Sequence, residues 1–179
     1  AQEEARRRLP GWEYARMYLG ELADSMGGGV FRREWWRYLE RAPHATGIVQ
    51  AWDTAFKEKE RADFSACVTL VTWESGWYVA DVWQAQVEYP ELRRAAVGLA
   101  ERWKPSRVII EDAASGQSLV QDLRRSTKLP VLPVKPDRDK GTRASAVSGY
   151  VESGRVYLPQ AAPWLHEFVE ELSAFPSDA

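Results

Sequence analysis

From Thr46 onward the apolar positions recur with two different periods, and the switching between them sets the order of elements. "TGIVQAWD" and "FSACVTLVTW" are apolar, β-branched runs of strand length, and "GWYVADVWQ" follows a Ser75-Gly76 turn with alternating character. Together they predict three strands in a meander. "YPELRRAAVGLAERWK" then spaces Leu92, Ala96, Leu99 and Trp103 along one helix face, and Pro105 closes it. "RVIIED" predicts a fourth strand, "SGQSLVQDLRRST" a second helix and "VLPVKP" a fifth, short strand. A helix over about 142–152, a strand in "RVYLP" and an amphipathic helix in "APWLHEFVEELSAF" follow.

An antiparallel meander followed by strands reached through helices predicts an α/β domain with a mixed β-sheet flanked by helices, in the order of an RNase H-like domain. Residues 1–45 read differently. They hold a helical stretch around 12–24, three consecutive glycines in "SMGGGVF", and "RREWWRYLERAP". Gly27 to Gly29 permit backbone angles closed to other residues, so this part is expected to be a helical extension or linker preceding a domain over 46–179.

Composition narrows the class without naming a partner. The 179 residues are 45% hydrophobic with nine Trp, and a net charge of −2 fits a chain that buries a core. The one cysteine, Cys67, lies in an apolar run and is expected in the core, which excludes a disulfide framework within the chain and fits a reducing compartment. No stretch approaches a membrane span, and the charged start "AQEEARRRLPG" is unlike a signal peptide, so an intracellular protein is expected.

Chemistry enters where the predicted parallel strands end. Ligands of open α/β sheets gather at the carboxyl ends of strands. Asp53 ends the first strand and Glu111 the fourth; if those strands are neighbours, two carboxylates 58 residues apart in sequence meet at one edge. Crowded carboxylates repel and call for a proton or a cation. Mg²⁺ or Mn²⁺ suits them, and a pair of such ions can activate water and stabilise a leaving oxygen in phosphodiester cleavage. The alternative is capping: Asp53 at a turn before Thr54, Glu111 at the helix starting near Ser115.

The blocks "QAWDTAFKEKERADFSACVTL", "VIIEDAASGQSLVQDLR", "VKPDRDKGTRASAVSGYVESGRVYLP" and "FVEELSAFP" resemble, in order, the C-terminal nuclease domain of bacteriophage large terminase subunits, over roughly residues 46–179. "GGGVFRREWWRYLE" is similar to the stretch leading into that domain from the family's ATPase domain. The resemblance implies an RNase H-like fold and a divalent-metal-dependent endodeoxyribonuclease, using Mg²⁺ or Mn²⁺ as two ions, that cuts concatemeric double-stranded DNA during genome packaging. It implies Asp53 as the first metal-binding carboxylate and Glu111 as the second; strand alternation is expected to turn Asp112 the other way, as an outer or capping residue. It also implies an ATPase domain of the same polypeptide, a small terminase subunit and a portal as partners, and the host cytoplasm as location. The family's third acid follows its "FP"; here the sequence reads "FPSDA", and the expected position falls beyond residue 179 rather than at Asp178. No G-x-x-x-x-G-K-[ST] pattern is present, so these 179 residues are not expected to hydrolyse ATP.

Between Arg124 and Arg143 seven cations face Asp137 and Asp139, a local excess of +5. Such a stretch suits phosphate contact, with a solvated face as the bland alternative. Arg138, Lys140 and Arg143 are the candidates for DNA contact, since the third block resembles the family most closely there. His44 and His166 have no zinc-type spacing, Asp63 suits a turn, and Trp35 and Trp36 are expected to pack against a neighbouring domain rather than to stack on bases. A non-cleaving DNA- or portal-docking module and an RNase H-like resolvase or transposase remain the alternative functions.

Overall fold

Seven strands and four helices follow one another in the computed structural model, which describes residues 29–55 and 64–176. They are β1 (Arg37–Leu39), β2 (Gly47–Asp53), β3 (Ser65–Trp73), β4 (Gly76–Ala85), α1 (Tyr89–Trp103), β5 (Arg107–Glu111), α2 (Ala114–Ser126), β6 (Val131–Val134), α3 (Lys140–Glu152), β7 (Val156–Pro159) and α4 (Leu165–Ala174). The helix expected around 12–24, Gly27, Gly28, Asp63 and Asp178 lie outside the described residues. Contacts divide the chain into two units, Arg41–Asp137 and a second formed by Ala1–Glu40 with Arg138–Ala179.

In the Arg41–Asp137 unit the strand order is β4-β3-β2-β5-β6. β2, β3 and β4 form the antiparallel meander, while β5 and β6 join in parallel, β5 directly beside β2. This is the mixed RNase H-like arrangement expected from the order of periods. Alternation along β3 sends Ser65, Cys67, Thr69 and Val71 inward, as a period of two requires. On β2 the buried residues are Gln50 and Trp52, so Asp53 emerges on the opposite side.

One face of the sheet carries the core. Trp52, Cys67, Val108 and Ile110 pack with Leu92 and Ala96 of α1 and with Leu119, Val120 and Leu123 of α2. Ile110, Leu119 and Leu123 have no exposed surface; each such side chain is worth about 1.5–3 kcal/mol of burial. Gln50 is also fully buried, and its Nε2 donates to Thr69 Oγ1 at 3.3 Å and to the Leu99 carbonyl at 3.2 Å. That buried polar contact fixes where α1 lies along β2, since an amide shifted out of register would lose its acceptors. Cys67 is 1% exposed, and burial pushes its thiol up to about 12, which fits the inert core residue expected.

In the second unit β1 pairs in parallel with β7, and the Gln160 N–H donates to the Leu39 carbonyl just past that pairing. Within the part expected to be a helical extension or linker, "RREWWRYLE" holds a 3-10 turn at Arg33–Trp35 and a strand. Three strand residues are too few to show a period. Trp36 is buried, stacks on Phe31 at 6.1 Å and meets Phe168 of α4 at 6.0 Å, so its packing lies within this unit. Trp35 lies under the Arg32 guanidinium, and Arg33 is ion-paired with Glu170. None of the described helices is long and apolar enough to cross a membrane.

Candidate metal centre

The two predicted acids end neighbouring parallel strands. The register between β2 and β5 runs Val49 with Arg107, Gln50 with Val108, Ala51 with Ile109 and Trp52 with Ile110. One step further places Asp53 beside Glu111, on strands about 4.8 Å apart. Residues level with each other in parallel strands point to the same face. Trp52 and Ile110 enter the core, so both acids leave by the other side, Asp53 exposed and Glu111 half-buried.

Each acid is held at its backbone. β2 stays paired with β3 up to the level of Asp53 and Ala66. On the other strand the Ala113 N–H donates to the Glu111 carbonyl at 2.9 Å, and the Asp112 N–H donates to the Val134 carbonyl at 2.8 Å, which carries the ladder to β6 past the acid. The chain then turns directly into α2. The N-cap position of α2 is Ala113, with no side-chain cap and no acid in the first turn. Glu111 thus does not occupy the N-cap position of α2, which lies two residues further on.

Gly116 explains how α2 comes so close. A Cβ there would lie 1.9 Å from the Glu111 carbonyl oxygen and 3.2 Å from Ile110 Cγ2. The helix thus presses its third residue against the end of the strand that carries the acid. From sequence this glycine reads only as part of a turn.

The donor set suits a hard divalent cation. Two carboxylates side by side, one exposed and one half-buried, supply oxygen ligands and leave the remaining positions to water or phosphate, which is how Mg²⁺ is commonly bound. Among the described residues no group of three or more His, Cys, Asp or Glu could hold a metal ion. Both histidines are exposed and belong to no such group.

The basic candidates belong to the other unit, at the start of α3. Asp139 is the N-cap: the Thr142 N–H donates to its Oδ1 at 2.9 Å and the Thr142 hydroxyl to its Oδ2 at 2.6 Å. These bonds hold the Asp139 carboxyl below its ordinary value. An acid counted from sequence as a countercharge is thereby committed to the helix end. Lys140 opens the helix, Arg143 lies three residues further along the same side, and Arg138 immediately precedes the cap. Arg138 and Lys140 are exposed and Arg143 is half-buried.

A family model, the terminase RNase H-like domain, matches residues 50–179. Among solved structures, the large terminase from a thermophilic bacteriophage is 14% identical with a TM-score of 0.68, covering 94% of this chain and 43% of that one. This chain therefore spans less than half of that protein's length. The P22 large terminase nuclease domain is 16% identical with a TM-score of 0.58, covering 79% of this chain and 77% of that one. The large terminase nuclease from thermophilic phage G20c with bound magnesium is 14% identical with a TM-score of 0.57, covering 82% and 79%. Comparison with curated protein sequences gives no match.

Proposed function

Because this chain belongs to the terminase RNase H-like domain family, we propose that it cuts double-stranded DNA by divalent-metal-dependent phosphodiester hydrolysis, as the nuclease part of a phage packaging terminase. The observation that carries this reading is the parallel pairing of β2 with β5 up to Trp52 and Ile110, the residues immediately before Asp53 and Glu111. In the reading, Asp53 and Glu111 hold Mg²⁺ or Mn²⁺, as two ions. When bound, the ions supply activation of the attacking water and stabilisation of the departing oxygen.

The rest is the chain's own work. Trp52 and Ile110, locked in the core, fix the strand ends so that the acids stand ready rather than being gathered on binding. Arg138, Lys140 and Arg143 bind phosphates, which positions a duplex without reading its sequence. Cut-site choice then falls to the packaging partners: an ATPase domain of the same polypeptide, the small subunit and the portal, in the host cytoplasm. The match to a large terminase more than twice as long supports the same-chain partner.

Plasmid incubated with the protein and Mn²⁺ tests the reading. Cleavage is expected, and Asp53→Ala or Glu111→Ala should each abolish it. Cleavage surviving in both variants would refute the site. Salt-sensitive binding of DNA with no cleavage at any Mn²⁺ concentration would identify a docking module instead.

A further inference from the structure

We infer that Ser65 is a positioning residue for the Asp53 carboxylate, an inference that rests on the metal-site reading above. The main-chain pairing of β2 and β3 ends at Asp53 and Ala66. A carboxylate on the final rung of a ladder would be expected to fray with it, because strand ends open at little cost. Here the next rung is supplied by a side chain. Ser65, one residue beyond Ala66, is 1% exposed, and its Oγ accepts from the Ala55 N–H at 3.0 Å while its hydroxyl donates to the Ala55 carbonyl at 3.4 Å. Donor and acceptor of one buried hydroxyl are both committed to one residue of the opposing chain.

The consequence is geometric. Asp53 is bracketed by paired rungs, Trp52 with Cys67 on one side and the Ser65–Ala55 clasp on the other. Thr54, between the acid and the clasp, is itself buried. Ser65 is held from behind as well, paired with Ala85 on β4. The hydroxyl therefore transmits the rigidity of β3 and β4 to the segment that carries the acid. Outer groups that hydrogen-bond a metal ligand directly typically alter metal affinity by about 10–100-fold when removed, and a hydroxyl acting through the main chain belongs at the low end of that range.

The test is a Mn²⁺ titration of the protein followed by paramagnetic broadening, read beside a melting curve. Ser65→Ala should weaken Mn²⁺ binding about tenfold. Ala55→Pro deletes the N–H partner from the opposite side and should do the same. Ser148→Ala, which removes another fully buried hydroxyl whose partner is the Ser145 carbonyl, should shift the melting point and leave Mn²⁺ affinity unchanged. If the parent, Ser65→Ala and Ala55→Pro bind Mn²⁺ alike, or if Ser148→Ala weakens binding as much, the inference falls while the metal site stands. If the parent shows no saturable Mn²⁺ binding that Asp53→Ala removes, the metal-site reading itself falls and takes the inference with it.

Discussion

Replacing Gly116 with alanine adds one methyl group at the place where α2 meets the end of β5. Its Cβ would sit 1.9 Å from the Glu111 carbonyl oxygen. A carbon and a carbonyl oxygen settle no closer than about 3.3 Å, so the two backbones must separate by roughly 1.4 Å. α2 cannot easily retreat, because Leu119 and Leu123 are fully buried in the core one and two turns on. The displacement should therefore fall on the strand end, and Glu111 should move with it. Overpacking of this kind costs about 1–3 kcal/mol, or about 2–12 °C in melting temperature for a chain of this size. The catalytic cost should be larger, since a misplacement of about 1 Å can slow chemistry about 100-fold.

Single-turnover plasmid cleavage with Mn²⁺, run well below the variant's melting point, reads the second effect apart from the first. Duplex binding without metal should be unchanged. Gly98→Ala is the matched control: nothing lies within 4 Å of its added Cβ on α1, so it should stabilise the helix by up to about 1 kcal/mol and leave cleavage as it was. Gly116→Ala that cleaves within about threefold of the parent, or that melts no lower than Gly98→Ala, would refute the claim that the close approach of the helix sets the position of Glu111.

The second unit yields two more expected outcomes. Alanine at both Lys140 and Arg143 should lower the slope of log K against log salt for duplex DNA by about 1.8, near 0.9 for each phosphate no longer neutralised; fluorescence anisotropy showing an unchanged slope would remove both from the interface. The Asp139 carboxyl titrates below its ordinary 3.8 because Thr142 bonds its charged form, so the cap's contribution is fully present above pH 3.8 and fades as pH falls through the lowered folded value. Thr142→Val deletes the hydroxyl bond and should move the Asp139 titration upward in a carbon-detected NMR experiment; an unmoved titration would show that the hydroxyl does not hold it down.

The parts of this protein that were legible in its sequence are those whose cause is local. β2, β3 and β5 announce themselves by apolar runs, and the acids at 53 and 111 are visible because a strand that ends in a carboxylate breaks its own pattern. Whether Glu111 was a ligand candidate or a helix cap was open in the sequence, since both roles place an acid just before a helix. The structure puts Ala113, not Glu111, at the N-cap of α2. β1 escaped because its three residues carry no period, and its partner β7 lies far along the chain. Ser65 and Gly116 escaped for a different reason. Both act on main-chain atoms, Ser65 on Ala55 and Gly116 on the Glu111 carbonyl, and main-chain atoms are the same whatever residue bears them. A search for complementary side chains has nothing to find at either place. The chemistry of a carboxylate site is thus written in the residues that touch the ion, whereas its rigidity is written in residues whose partners have no side-chain identity, and only coordinates expose that second set.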